Sequence, residues 1–242
     1  MEKLVLIDGN SLINRAFYAM PPLNTKEGVP TGAVYGFMNM FFKMLSDIAP
    51  DYTCVAFGLK APTFRHKMYA DYKGTRKPMP DNLRPQIPLL KELLSLMGVT
   101  YLEKEGFEAD DILGTLAHAA AEAGEECVLA TGDRDALQLV DEHVTVLLAA
   151  TRAGRSETEF MTPDAVKARY GLSPDRLIDL KALMGDSSDN IPGVAGVGEK
   201  TAVELLKAFG SLDALYAAYK VLHGNSFIDD LYEVMRHWRV TR

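Results

Sequence analysis

Seven acidic residues fall into three tight groups far apart in the chain: Glu108, Asp110 and Asp111; Asp133 and Asp135; Asp186 and Asp189. Like charges at that density repel. A folded domain keeps such clusters where a hard divalent cation neutralises them, and carboxylate oxygens suit magnesium or manganese. For any single group the plainer reading is solvated surface or a helix N-terminus, where acids are favoured. Three groups in matching contexts argue against that reading for the set.

The contexts are the carboxyl ends of strand-like runs. Residues 3–7 form a short apolar run ending at Asp8-Gly9-Asn10, and residues 127–131 form another ending at Gly132-Asp133. A third run, 53–57, ends at Gly58, where the same pattern leads one to expect an acid and none is found. Helical patterns at 37–45 and 87–97 lie between the runs. Alternating strands and helices predict an α/β fold with a parallel-type central sheet flanked by helices, whose ligands bind in the crevice outside the carboxyl ends of the strands. Asp8, Asp133 and Asp135 are expected to converge there. If Asp133 and Asp135 stay extended, their period-two spacing aims both to one side.

Length and composition bound the remainder. A chain of 242 residues, 48% hydrophobic, is long enough for one large α/β domain or for a domain with a small appendage. No apolar stretch approaches the roughly 18 residues of a membrane helix, and no basic-then-apolar leader opens the chain. Cys54 and Cys127 sit alone within strand-like runs and read as buried thiols. A cytoplasmic protein is expected.

The net charge of −7 speaks against nucleic acid only if charge is spread evenly. It is not: residues 60–91 hold Lys60, Arg65, Lys67, Lys73, Arg76, Lys77, Arg84 and Lys91 against Asp71 and Asp81. Phe64, Tyr69 and Tyr72 are interleaved, and Pro78, Pro80, Pro85 and Pro88 divide the stretch into short helical pieces. A solvated basic face is the alternative. Beside an acidic metal centre, such a segment could hold a phosphodiester that the carboxylates would otherwise repel.

Residues 189–201 read Asp-Asn-Ile-Pro-Gly-Val-Ala-Gly-Val-Gly-Glu-Lys-Thr. A P-loop requires lysine directly after its last glycine and a strand before its first. Here Glu199 intervenes and Pro192 precedes, so triphosphate binding is rejected. Closely spaced glycines opening a helix still present backbone N–H groups to an anion. A hairpin between helical patterns at 177–184 and 202–209 could grip DNA phosphates without reading bases, or could be an ordinary helix–helix turn.

The pieces Leu6-Ile-Asp8-Gly-Asn10-Ser, Thr63-Phe-Arg65-His, Tyr72-Lys73-Gly-Thr-Arg76, Glu108-Ala-Asp-Asp111, Thr131-Gly-Asp133-Arg-Asp135 and Leu183-Met-Gly-Asp186-Ser-Ser-Asp189-Asn-Ile-Pro-Gly193 together resemble the 5′-nuclease domains of bacterial DNA polymerase I, part of the flap-endonuclease family. The resemblance implies a metal-dependent 5′-3′ exonuclease and flap endonuclease acting in replication and repair. It implies a PIN-like α/β core over 1–160, a helical arch over about 61–95 and a helix-hairpin-helix subdomain over 161–220. It assigns Asp8, Glu108, Asp110, Asp111, Asp133, Asp135, Asp186 and Asp189 to a cluster holding two magnesium ions, with manganese as a substitute. Lys73 and Arg76 would act on the scissile phosphate, and Tyr72 would stack on a terminal base. Arg65, Gly193, Gly196, Gly198, Lys200 and Thr201 would contact DNA, with a potassium ion at the hairpin. The implied partners are DNA with a 5′ flap or single-strand/double-strand junction, and a polymerase domain or separate polymerase.

Two departures stand out. The family carries an aspartate after the second strand, whereas this chain reads Val55-Ala-Phe57-Gly58. Residues 221–242 also differ from the family's closing helices and read as a divergent tail or a shifted frame. Three readings follow: an active structure-selective nuclease, a junction-binding module with weakened catalysis, and a hydrolase of small phosphate esters. The first two predict affinity for a 5′-flapped duplex that falls steeply with salt and ignores base sequence. Filter binding across a salt series tests this, and equal affinity for a blunt duplex would remove the proposed recognition.

Overall fold

Along β1 (Lys3–Asp8) side chains alternate between two faces, so Leu6 and the pair Val5 and Ile7 enter different cores. The computed structural model describes residues 1–152 and 155–223, the side chains of 150–152, 155–157 and 220–223 excepted. After β1 come α1 (Gly9–Ala19), α2 (Gly32–Ile48), β2 (Tyr52–Ala56), the short α3 (Phe64–Met68), α4 (Gln86–Leu96), β3 (Thr100–Leu102), α5 (Ala109–Glu122) and β4 (Glu126–Thr131). A 3₁₀ segment, Arg134–Leu139, leads to β5 (Val144–Arg152) and β6 (Arg155–Met161). The chain continues through α6 (Pro163–Tyr170), a 3₁₀ turn at Pro174–Arg176, α7 (Leu177–Met184), the two-residue pair β7 (Gly185–Asp186) and β8 (Ile191–Pro192), α8 (Glu199–Phe209) and α9 (Leu212–His223).

The six-stranded sheet runs β3-β2-β1-β4-β5-β6. Every pairing is parallel except β5 with β6. The three strand runs read from sequence are therefore its centre. The β5–β6 hairpin, which sequence reading did not single out, makes the sheet mixed. One face packs Leu6, Cys54, Leu129 and Val146 against α5, α7 and α8, and the other packs Ile7, Val55, Phe57 and Val128 against α1, α2 and α4. Both cysteines are free and buried, as expected. Among the described residues no helix is long and apolar enough to cross a membrane.

The segment 61–95 is not one arch. Leu90 and Leu94 of α4, spaced one turn apart, are fully buried in the core, so α4 is a packing helix with Pro88 tolerated in its first turn. The connection before it, through α3 and the turns at 69–76, lies beside the carboxyl ends of the strands. Residues 221–223 close α9, and the rest of the segment read as a tail lies outside the described residues.

α2 is capped from far away in sequence. Thr31 makes no side-chain cap, and instead the buried Gln86 Oε1 accepts from Ala33 N at 2.7 Å and Val34 N at 3.2 Å, while its Nε2 donates to Asn82 O at 2.8 Å. This bond set ties the connection before α4 to α2. Gln86→Met keeps the volume and removes the acceptor, leaving two buried N–H groups unsatisfied. The expected cost is about 2–3 kcal/mol, read as a lower urea midpoint with unchanged slope.

Candidate active site

The register Asp8↔Ala56 on one side of β1 and Ile7↔Ala130 on the other brings the residues after three strands to one edge. Asp8 caps α1: its Oδ1 accepts from Ser11 N at 2.9 Å and its Oδ2 accepts from the Thr131 hydroxyl at 2.7 Å. Gly9 allows α1 to begin there, because a Cβ at that position would stand 2.4 Å from the Phe57 ring. Glu108, Asp110 and Asp111 come from the start of α5, and Asp133 caps the 3₁₀ segment that follows β4. Asp133 keeps extended backbone, but Asp135 already lies within the 3₁₀ segment. Asp133 Oδ1 accepts the Asp135 N–H at 2.9 Å, so the chain turns at once and the two side chains are placed by that turn rather than by strand alternation.

The carboxylates divide into two sets. Asp8, Glu108, Asp110 and Asp133 line one cleft together with Gly58, Lys73 and Arg76. Burial raises the Asp8 carboxyl, with Asp133 adding to the rise, and raises Asp110 well above the usual range with help from Asp8 and Asp133. Burial and the neighbouring Asp133 push Asp135 up to about 6. These groups repel one another and lack enough positive charge. Glu108, Asp111, Asp186 and Asp189 each hold a basic side chain, and Asp135 shares the one on Asp186. Lys73 Nζ is 2.6 Å from Glu108 Oε1, and Arg76 is 2.5 Å from Asp189 Oδ1. Lys181 Nζ is 2.6 Å from Asp186 Oδ2, and Arg65 forks onto both oxygens of Asp111 at 2.8 Å. Although burial opposes it, the bonds from Lys181 and Ser188 hold Asp186 down at about 2.

Several assignments change on this geometry. Asp111 accepts from Arg65 and, through Oδ2, from Glu108 N at 2.9 Å, so it is an internal brace of the α5 start rather than an open ligand. Arg65, only 10% exposed along its side chain, is committed to that brace and stacks on the Phe64 ring, so it does not present itself to DNA. Tyr72 is 4% exposed, and its hydroxyl lies 2.9 Å from Glu108 Oε2 and 3.1 Å from Asp189 Oδ2. A buried ring cannot stack on a terminal base in this conformation. Gly193 serves packing: a Cβ there would meet the Met184 carbonyl carbon at 2.1 Å. A Cβ at Gly196 or Gly198 meets nothing, and the neighbouring Lys200 and Thr201 at the start of α8 are exposed, so that end of the hairpin faces solvent as a phosphate contact requires.

Lys181 is the residue that sequence reading missed. It also reaches Asp135 Oδ1 at 2.8 Å, so one ammonium from α7 joins carboxylates of the core and of the β7–β8 turn. A lysine five residues before Asp186 has no local signature, because its partner Asp135 is set only by packing.

The donor set suits a divalent cation. All candidate ligands are hard carboxylate oxygens, the uncompensated set carries excess negative charge, and the buried Asp135 Oδ1 has Lys181 nearby but no aligned hydrogen-bond donor. Among the described residues no group of three acids is already gathered around one ligating point. Ligation therefore requires side-chain movement, with Lys73 or Lys181 releasing an acid.

Residues 3–171 match the model of the 5′-3′ exonuclease N-terminal resolvase-like domain, and residues 172–242 match that of the 5′-3′ exonuclease C-terminal SAM fold. The chain belongs to the 5′-3′ exonuclease family. It is 48% identical over 232 residues to DNA polymerase I of Bacillus subtilis, covering 96% of this chain and 26% of that protein. It is 49% identical over 214 residues to DNA polymerase I of Mycobacterium tuberculosis, covering 88% of this chain and 24% of that protein. The chain thus spans about a quarter of these relatives. Two solved structures share its fold. A bacteriophage T5 flap endonuclease complex with DNA and metal ions has a TM-score of 0.73 at 19% identity, covering 99% of this chain and 86% of that one. The catalytic core of Rad2 with DNA substrate has a TM-score of 0.60 at 18% identity, covering 100% and 73%.

The raised carboxyls predict how stability depends on pH. Folded Asp8, Asp110 and Asp135 bind protons more tightly than their unfolded counterparts, so each withdraws metal-free stability as pH rises through its raised folded value, which for Asp135 spans about 4 through about 6. Asp186 acts oppositely and withdraws stability only below about 4. The metal-free protein is expected to melt higher at pH 5 than at pH 7.5. Asp135→Asn should raise the melting temperature at pH 7.5 and flatten that dependence, which calorimetry in chelator measures.

Proposed function

We propose that this chain is a structure-selective 5′-3′ nuclease that hydrolyses DNA phosphodiesters at 5′ flaps and primers, with two divalent metal ions, magnesium or manganese, held by the carboxylate cluster. One observation carries the reading. The uncompensated Asp8, Asp110 and Asp133 share a cleft with Lys73 and Arg76, two cations whose present partners are themselves acids of the site. Asp135 and Asp186 stand nearby on Lys181, and Glu108 and Asp189 are shared through Tyr72. Asp111 takes the lesser part of holding Arg65.

Divalent cations bound there supply an activated water and neutralise the leaving oxygen. The protein's own residues do the rest. Lys73 and Arg76 bind the scissile phosphate, which requires exchanging Glu108 and Asp189 for phosphate oxygens. The exchange is close to balanced, since each cation trades one anion for another. The single Tyr72 hydroxyl proton serves one of its two carboxylates at a time, so Tyr72 orders Glu108 and Asp189 as that exchange occurs. Gly196, Gly198, Lys200 and Thr201 grip the duplex phosphates through backbone N–H groups and side chains, with a potassium ion as an auxiliary cation. DNA carrying a 5′ flap or junction is the partner, with a polymerase domain or separate polymerase acting on the same DNA in the cytoplasm.

A second reading, a junction-binding module with weakened catalysis, rests on Gly58. The cleft wall at this position bears no carboxylate, and losing one ligand loosens a site whose geometry has little tolerance. The backbone there accepts a side chain. Gly58 is absent from the positive-φ residues, and a Cβ would meet Asn10 Nδ2 at 3.3 Å and Ala109 N at 3.7 Å. Asn10 must give by a few tenths of an ångström, and its amide can then donate to the new acid.

Gly58→Asp is expected to fold normally and to bind flapped DNA. It should cleave about tenfold faster or more, a gain of about 1.4 kcal/mol in transition-state stabilisation, at a lower magnesium requirement. Flap cleavage across a magnesium series, with melting temperature alongside, measures this. A folded, DNA-binding variant that cuts no faster would show that Gly58 is not the missing ligand.

A further inference from the structure

Two loops meet beside the cleft, and their contacts are not confined to charge. Residues 71–76 belong to the connection between β2 and α4, and residues 186–190 join β7 to β8 at the base of the α7–α8 hairpin. Lys73 N–H donates to Asp189 O at 2.9 Å, and Asn190 Nδ2 donates to Asp71 O at 2.8 Å. The second bond has only one sense, because a backbone carbonyl cannot donate. Arg76 Nε adds a longer bond to Ser188 O at 3.4 Å.

The backbone is specialised on both sides. Among the described residues three that are not glycine have positive φ, and two of them face each other here: Lys73 at 56° and Asn190 at 59°. Left-handed backbone is unfavourable for a residue with a Cβ, least so for asparagine, and persists where surrounding bonds over-determine it. The local turn does part of that work, since Asp71 O also accepts from Gly74 N at 2.9 Å and Lys73 O accepts from Arg76 N at 3.0 Å. The cross-loop bonds supply the rest, and they set the direction in which Lys73 and Arg76 leave the turn.

We propose that Asn190 is a positioning residue: its amide and the Lys73 N–H form a latch joining the basic loop to the base of the hairpin, so that duplex gripped at the hairpin holds Lys73 and Arg76 over the acidic cleft. The latch rests on the geometry of the free protein, and its consequence rests on the DNA reading above. Asn190 reaches neither the carboxylates nor the proposed phosphate contacts, so it can be changed without removing either.

Two variants separate the amide from the backbone. Asn190→Gly accepts the left-handed conformation and lacks the donor, and Asn190→Asp sets an acceptor against the Asp71 carbonyl. In metal-free, DNA-free protein, hydrogen exchange at the Lys73 amide should quicken about fivefold or more in both, the change expected for losing one supporting bond. A short blunt duplex added without divalent metal should slow exchange at Lys73 in the unmodified protein and do so less in the variants. Unchanged free-protein exchange in both variants would overturn the latch. Equal slowing by duplex in all three proteins would show that DNA covers the loop directly and would overturn the coupling. A 5′-flapped duplex that also fails to bind the unmodified protein would remove the DNA reading, and the free-protein rates would still decide the latch.

Discussion

Mutual repulsion among buried carboxylates at the carboxyl edge of the sheet is the constraint on which the site's organisation depends. Burial in a low-dielectric edge magnifies each like-charge contact and penalises every ionised acid. The fold answers with cations taken from two places: Arg65, Lys73 and Arg76 from the connection before α4, and Lys181 from α7. Each bond that relieves the acids also fastens a peripheral element to the sheet. The electrostatic problem and the tertiary docking of the outer segments are thus solved by the same contacts.

That solution is incomplete where Asp8, Asp110 and Asp133 face one another, and the incompleteness bears on function. A site neutralised throughout by its own lysines and arginines would have little affinity for a further cation. A site with no internal cations would be destabilised by its own charge. Here the basic residues hold the outer acids and leave the inner three short of positive charge. Because Lys73 and Arg76 are the residues that would meet phosphate, the acids they hold become available as they move to DNA. On the proposed reading, metal binding and substrate binding would be coupled through shared side chains without requiring movement of the sheet.

The hairpin shows the same economy in backbone form. Gly193 exists to let Met184 and Gly185 approach, while Gly196 and Gly198 leave a surface open. Two glycine roles within six residues, one inward and one outward, place a phosphate-compatible helix start against a turn that carries Asp186 and Asp189. The left-handed Asn190 then faces the left-handed Lys73 across the gap, so the turn that presents two acids also bonds to the loop that presents two bases.

Local sequence determined the strand centres, the helices that separate them and the presence of acids just beyond Ile7 and Thr131 and at the start of α5. Period-two and helical patterns are short-range, and acids favour helix starts for local electrostatic reasons, so these features needed no tertiary information. The resemblance in motif order extended this to the family. Tertiary structure alone decided which acids remain uncompensated, because pairings such as Arg65 with Asp111 or Lys181 with Asp135 join residues 46 positions apart in both cases. It also turned Tyr72 inward, made α4 a core helix and bent Asp133 and Asp135 into a 3₁₀ start. The absence at Gly58 was visible in the sequence, but only the fold showed that its backbone is not left-handed and that a side chain there would stand beside Asn10 in the acidic cleft. Composition and spacing record which charges a chain owns; the distance and burial that set their energies come into being only when the chain is packed.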